Sequence, residues 1–386
     1  MAGTRAGSVW YEKVEQIGEG TYGQVYRARH RVSGKVVALK KIRVHNEHNG
    51  LPLTAIREIK ILKELSHPNM VELLEVVTLF LVLEYVDHDL AGLLDMHYCF
   101  SPQAIKMIIK QLLEVLQHMH EHRYVHRDIK CSNILLDNHH RLKLADFGLA
   151  RRLCEDQDRQ LSNKVITLWY RPPELLLGAR RYGPPVDMWG VGCILSELIL
   201  QKPLLPGKVE LEQLEMIFKV VGTPTDSAWP GHAELPLWQE MQPPVFYPNV
   251  LKSHLLETAR KMGTHSSMTP EAVDLIARLM TLDPQRRMSA KTALEGRLSS
   301  TPARRRAAAA LRAPQYTFST SHIRPQHMIS TPRCTLHAGQ ARRRRRRRQR
   351  SILAARAPAH GIRPAVGAIL CAFRTAPLHG QAGAAA

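Results

Sequence analysis

The residues of this 386-residue chain best suited to chemistry lie in an ordered series of short motifs. Gly18-Glu19-Gly20-Thr21-Tyr22-Gly23 is a GxGxxG run, followed by a β-type segment from Gln24 to Arg29 where a dinucleotide fold would open a helix. A glycine hairpin between two strands can lie over a nucleotide and offer backbone N–H groups to phosphates, because small residues allow close approach. By itself the run also fits an ordinary hairpin. Val37-Ala38-Leu39-Lys40 then sets a lysine at a strand end, and Glu58, eighteen residues later in a helical segment, is placed to hold that lysine as an ion pair. Further on come His126-Arg127-Asp128, Asn133 five residues after that aspartate, Asp146-Phe147-Gly148 and Pro172-Pro173-Glu174. Together these side chains supply a fixed cation, hard oxygen ligands for a small metal ion and a carboxylate that can take a proton.

In this order and spacing the set resembles the signature of protein kinases, with Leu39, Ile129 and Pro172 as mild departures from its consensus. The resemblance implies an α+β, bilobal fold with a small β-rich lobe carrying one main helix and a larger α-helical lobe. It implies ATP and Mg2+ as well. A phosphoryl group in transfer spreads negative charge over its oxygens, so such a site needs cations, metal ligands and an acceptor for the attacking hydroxyl's proton. On this resemblance Lys40 binds the α/β-phosphates and is oriented by Glu58, while Asp146 and Asn133 hold magnesium. Asp128 orients the substrate hydroxyl and accepts its proton, and Lys130 adds charge near the γ-phosphate. The loop Gly18, Glu19, Gly20, Thr21, Tyr22 and Gly23 covers the nucleotide, Ile17, Val25, Ala38 and Leu135 sandwich adenine, backbone groups of Glu84 and Val86 read its edge, and Asp89 belongs to the same pocket. For any one of these pocket residues, plain core packing is the alternative.

The segment Pro52-Leu53-Thr54-Ala55-Ile56-Arg57-Glu58 is similar to the PSTAIRE-type helix of cyclin-dependent kinases, in the PITAIRE variant of their transcription-associated branch. The flanks Glu15 to Tyr26 and Asn163 to Gly178 resemble that branch too, especially plant C-type cyclin-dependent kinases, and the likeness runs from about Tyr11 to Leu298. A cyclin would grip Leu51, Leu53 and Ile56, whose alternative is packing on the small lobe's sheet. Ser162 stands where the family usually carries an activating threonine, and Arg57, Arg127 and Arg151 match the arginines that would clasp its phosphate. Glu174 with Arg287 resembles the ion pair anchoring the activation segment, and Asp187 the buried aspartate bracing the catalytic loop. Thr167 would hydrogen-bond Asp128 and Lys130, a pattern of Ser/Thr specificity, while Val165 and Arg171 match positions that favour proline after the phosphoacceptor. Thr21 and Tyr22 occupy positions whose phosphorylation inhibits cell-cycle relatives. The resemblance thus implies a nuclear, cyclin-activated kinase of Ser/Thr-Pro segments, with the heptad-repeat tail of RNA polymerase II as leading substrate. A cell-cycle cyclin-dependent kinase and a catalytically impaired scaffold are its rivals.

The elements that must position these residues follow from pattern. Short β-type runs broken by glycine cover Val14 to Arg43, helical spacing covers Pro52 to Leu65, and Leu73 to Glu84 is strand-like. From Ser101 the pattern is mainly helical, over Ala104–His122, Val186–Leu200 and Pro270–Thr281. The expected organisation is an N-terminal extension 1–10, a small lobe 11–86, a large lobe 87–298 and a tail 299–386. Between Leu73 and Tyr85 no Gly, Pro, Asn or Asp marks a turn; the resembled family places two antiparallel strands joined by a turn here, of which this chain lacks at least four residues, so either the strands are cut short or a coding segment has been lost. Leu83, where close relatives usually carry Phe, implies a roomier nucleotide pocket. His118, His120 and His122 have no acidic or cysteine ligand suitably spaced, so a solvated helix end is favoured over a metal site.

Composition separates this body from its tail. The net charge is +20, yet no acidic residue follows Glu295 while eighteen arginines do, leaving 36 basic against 34 acidic residues before it. The whole chain is therefore not a basic nucleic-acid binder, although the run Arg342 to Arg348 would serve an import receptor or nucleic acid. The tail's Ala, Arg, Pro and Gly bias points to disorder, or to a stretch translated from another reading frame. Its longest apolar stretch, Ala365 to Phe373, is too short to span a bilayer, and Met1 to Tyr11 lacks a signal pattern, so no membrane role and a soluble intracellular protein are expected. Six scattered cysteines without a CxxC pair suit a reducing compartment.

Overall fold

A computed structural model describes residues 10–20, 23–43, 51–153 and 160–296. Thr21, Tyr22, Cys154 and the whole tail, with Arg342 to Arg348, lie outside the described residues. Strands β1 (Tyr11–Gly20), β2 (Gly23–His30) and β3 (Val36–Lys41) form an antiparallel meander. Helix α1 (Leu53–Glu64) follows, then β4 (Leu73–Val77) and β5 (Phe80–Glu84), giving one sheet in the order β1-β2-β3-β5-β4. Val37, Leu39 and Val82 point to one buried face of that sheet with Tyr11 and Ala28, and Ala38 and Leu83 point to the other, the alternation that a strand's two-residue period requires.

The shortened hairpin closes. Val77 pairs with Phe80 across a two-residue turn of Thr78 and Leu79, and each strand keeps five residues. Thr78 takes a φ of 49°, a left-handed conformation that its branched side chain disfavours. The sequence carries no turn signal here because neither residue is of a type that turns prefer, and the ladder on both sides imposes the conformation instead.

Beyond Glu84 the chain is mainly helical. The short strand β6 (His88–Asp89) leads into α2 (Leu90–Asp95) and α3 (Pro102–Glu121). Then come β7 (Tyr124–Val125), β8 (Ile134–Leu136), β9 (Leu142–Leu144) and β10 (Arg151–Arg152). The remainder is α4 (Pro173–Leu176), α5 (Pro185–Leu200), α6 (Glu210–Val221), α7 (Trp238–Met241), α8 (Leu251–Met262), α9 (Pro270–Leu279) and α10 (Ala290–Glu295). Ser101 caps α3 through its hydroxyl, which accepts from Ala104 N, and Pro102 begins the first turn. Residues Val186 to Leu200 of α5 are all buried, the arrangement expected of a helix apolar all round. At Gly190 a Cβ would lie 2.9 Å from Ile129 Cβ, so the missing side chain lets α5 approach the loop that carries Asp128. Among the described residues no helix is long and apolar enough to cross a membrane.

Candidate active site

Lys40 near the end of β3, Glu58 in α1 and Asp146 after β9 meet in one cluster. Lys40 Nζ lies 2.7 and 2.9 Å from the two Glu58 carboxylate oxygens and 2.8 Å from Asp146 Oδ1. Burial alone would lower the Lys40 pKa, but the two carboxylates outweigh it and raise the pKa above the ordinary lysine value. Asp146 is held below the usual carboxylate range because Lys40 outweighs its own burial. Its φ of 63° is left-handed, a conformation aspartate adopts more readily than most residues.

Asp128 sits in a second network 18 residues upstream of Asp146. Asp128 Oδ1 accepts from Thr167 Oγ1 at 3.1 Å and Thr167 N at 3.3 Å, and Oδ2 accepts from Asn133 Nδ2 at 3.0 Å and faces Lys130 Nζ at 2.7 Å. Lys130 Nζ also donates to Thr167 Oγ1 at 3.2 Å. Asn133 Nδ2 donates in addition to the Asp128 carbonyl at 2.8 Å, which fixes the amide and leaves Oδ1 as the group to offer a cation.

The loop bearing Asp128 is braced from below. Asp187, in the first turn of α5, accepts from His126 N and Arg127 N at 2.9 Å each and lies 2.9 Å from His120 Nε2. Burial would raise its pKa, but His120, His126 and the Arg127 N–H outweigh that and hold it below the usual range. His126 donates from Nε2 to the Ala145 carbonyl at 3.1 Å and accepts from Asp128 N at Nδ1, so it is a neutral ring whose pKa burial pushes down. Its edge meets Phe147 at 5.1 Å between ring centres.

The nucleotide candidates divide between the five-stranded sheet and a separate small sheet of β6, β8 and β9. Ala38 pairs with Leu83 across β3 and β5, and Asp89 pairs with Leu135 across β6 and β8. Gly18 pairs with Val25 in the β1–β2 hairpin, with Ile17 half exposed beside them. Glu84 N–H is already engaged by the Glu72 carbonyl at 3.0 Å, and its side chain binds Lys143 at 2.7 Å. Asp89 Oδ1 caps α2 by accepting from Gly92 N. Leu53 and Ile56 stay 67% and 46% exposed, so the packing alternative does not hold for them, whereas Leu51 packs against the core.

The activation-segment residues are placed less simply. Ser162 is exposed, but among the described residues no hydrogen bond joins it to Arg57, Arg127 or Arg151. Arg127 instead donates to the Leu149 carbonyl at 2.8 Å and to Tyr182 Oη at 2.9 Å, and Tyr182 Oη donates to the Ser162 carbonyl at 2.5 Å. Arg151 donates to the Ala150 carbonyl. Arg287 binds Glu174 through two bonds of 2.7 and 2.9 Å, both side chains buried. Val165 is buried, and Arg171 donates to the Ile166 carbonyl from Nε at 3.2 Å and Nη2 at 3.0 Å. Ile166 has a φ of 67°.

Three residues escaped sequence reading. Ile166 and Tyr182 act through backbone shape and a hydroxyl relay, and Glu210 meets Arg171 at 2.5 Å. No local pattern announces a left-handed isoleucine or a contact across 39 positions. The histidine reading changes too: His120 is bound to Asp187, and His118 is half-buried between His122 at 4.4 Å and His67 at 5.2 Å between ring centres, rather than solvated. Among the described residues no group of three or more histidine, cysteine or acidic side chains is arranged to hold a metal ion.

A family model of the protein kinase domain matches residues 11–298. The chain belongs to the protein kinase family. Within this kinase 74% of the chain aligns with Cyclin-dependent kinase C-1 of Oryza sativa subsp. japonica, 49% identical over 307 residues and covering 57% of that relative. CTD kinase subunit alpha of Schizosaccharomyces pombe is 46% identical over 289 residues, covering 74% of this kinase and 47% of the relative. The kinase thus spans about half the length of these relatives. The crystal structure of the yeast RNA Pol II CTD kinase CTDK-1 complex matches 76% of the chain and 94% of its own matched chain, with a TM-score of 0.68 and 38% identity. The bilobal kinase fold and the likeness to transcription-associated cyclin-dependent kinases are both borne out, and the tail lies beyond the matched domain.

Proposed function

We propose that this kinase transfers the γ-phosphoryl group of ATP to serine or threonine followed by proline, once a cyclin is bound, and that its substrate is the heptad-repeat tail of RNA polymerase II. The observation that carries the chemistry is the convergence of Lys40, Glu58 and Asp146 beside the Asp128, Lys130, Asn133 and Thr167 network. Asp146 and Asn133 offer the hard oxygens magnesium prefers, and when bound that ion would neutralise phosphate charge. Lys40, held between two carboxylates, is the fixed cation for the α/β-phosphates. The substrate hydroxyl oxygen forms the new bond to phosphorus as the bond to the β–γ bridging oxygen breaks, and its proton passes to the Asp128 carboxylate. Thr167 and Lys130 orient that carboxylate, so the acceptor is positioned before substrate arrives.

Proline preference has a backbone origin. The left-handed Ile166 carbonyl already takes two N–H groups from Arg171, which would leave a substrate N–H without this acceptor, and proline has no N–H to leave unpaired. The exposed Leu53 and Ile56 beside Glu58 suit a cyclin, whose docking on α1 would hold the Lys40–Glu58 pair in place. The names of the relatives, CTD kinase among them, support the polymerase tail as substrate and a nuclear setting. The impaired-scaffold alternative is disfavoured by the intact cluster, and the cell-cycle alternative by those same relatives. Radiolabelled ATP, Mg2+ and a heptad-repeat peptide test the reading with the purified chain alone and with a transcriptional cyclin. Label should enter Ser-Pro sites only when the cyclin is present; labelling confined to tyrosine, or equal with and without cyclin, contradicts it.

A further inference from the structure

The Arg171 side chain does more than hold the Ile166 carbonyl. Its Nε and Nη2 point to that oxygen, while Nη1 lies 2.5 Å from Glu210 Oε1. The guanidinium is a planar fork, so fixing one arm fixes the direction of the other two. Arg171 is largely buried and Glu210 is half exposed, so the carboxylate forms the outer wall of this small network. The wall is itself anchored: Trp169 Nε1 donates to the Gly207 carbonyl at 3.0 Å, and Gly207 N donates to the buried Gln213 Oε1 at 3.0 Å. The segment 207–210 is thereby clamped to the residues that precede Arg171.

We infer that Glu210 is a specificity-determining residue, acting through Arg171 to keep the Ile166 carbonyl saturated and so to enforce proline after the phosphoacceptor. This rests on the proline-site reading above. With Glu210 in place, Arg171 has one orientation and the carbonyl has no lone pair to spare for a substrate amide. Without it, Arg171 gains rotamers that leave the carbonyl, and a substrate residue bearing an N–H regains an acceptor. Glu210 does not touch the reacting atoms, and it also stands in the first turn of α6, where a carboxylate favours the helix dipole. A purely structural role would therefore lower stability, or turnover on every substrate, in equal measure.

The two roles separate in a ratio. The purified kinase–cyclin complex is assayed on paired peptides that differ only in Ser-Pro against Ser-Ala, giving kcat/KM for each. The pair is half exposed, so Glu210→Gln should narrow the Ser-Pro to Ser-Ala ratio by about two- to fivefold, chiefly through a gain on Ser-Ala. Glu210→Asp, which keeps the charge, should restore part of the discrimination, and Arg171→Ala should lose most of it. An unchanged ratio in a folded Glu210→Gln complex, or equal losses on both peptides, overturns the inference. A wild-type complex that does not distinguish the two peptides overturns the proline-site reading itself. If Glu210→Gln fails to fold, an unchanged ratio in Glu210→Asp together with Glu210→Ala settles against it.

Discussion

Replacing Asp187 by asparagine tests how the helical lobe holds the catalytic loop. Asp187 is 1% exposed and receives three N–H groups, from His126 N, Arg127 N and His120 Nε2. Oδ1 serves one of them and Oδ2 serves two, so an amide must present its NH2 to at least one donor. The variant forfeits one bond outright and the charge assistance of the others, about 3 kcal/mol in total when a buried donor is left unpaired. For a domain of this size that corresponds to a melting temperature lower by about 5 °C. The same loop carries Asp128, and a displacement near 1 Å costs about a hundredfold in rate. Calorimetry and steady-state kinetics on the purified complex should therefore show a lower melting point and a kcat reduced by about tenfold or more, with the KM for ATP little changed. A variant that melts within about 1 °C of the wild type, the scale of an ordinary surface substitution, and turns over normally would show that the brace does not position the loop.

Thr78→Gly should stabilise the protein by about 0.5–1 kcal/mol, since relief of the left-handed strain exceeds glycine's added chain entropy; an unchanged or lower urea midpoint contradicts the strained turn. Lowering the pH should destabilise the fold from about pH 6.5 downward, because His126 stays neutral when folded but binds a proton when unfolded. Denaturation midpoints that hold constant or rise between pH 7 and pH 5 would refute that assignment. Ser162→Ala should lower turnover while cyclin binding survives in a pull-down, and Tyr182→Phe, which breaks the relay to Arg127, should lower it further in that background. Full turnover in both variants would remove Ser162 and the relay from activation.

The candidate catalytic set was legible in the sequence because phosphoryl transfer needs particular side chains in a fixed order, and Lys40, Glu58, Asp128, Asn133 and Asp146, which the fold draws into two adjoining networks, occupy that order. The helices were legible too: α1, α3, α5 and α9 lie within a few residues of where their periodicity placed them. The turn at Thr78 was not, because the flanking ladder rather than local preference selects its conformation. Nor was the state of the histidines at the end of α3, since His120 is claimed by an aspartate 67 positions away. Glu210 and Tyr182 escaped for the same reason: each acts through a partner that only the folded lobe brings near.

Single-turnover phosphoryl transfer by Asp128→Asn, compared with wild type and with nucleotide affinity measured in parallel, probes the proton-accepting role most directly. Transfer should fall by about a hundredfold or more while ATP binds as tightly as before. Transfer at the wild-type rate with unchanged binding would show that the Asp128 carboxylate does not accept the substrate's proton.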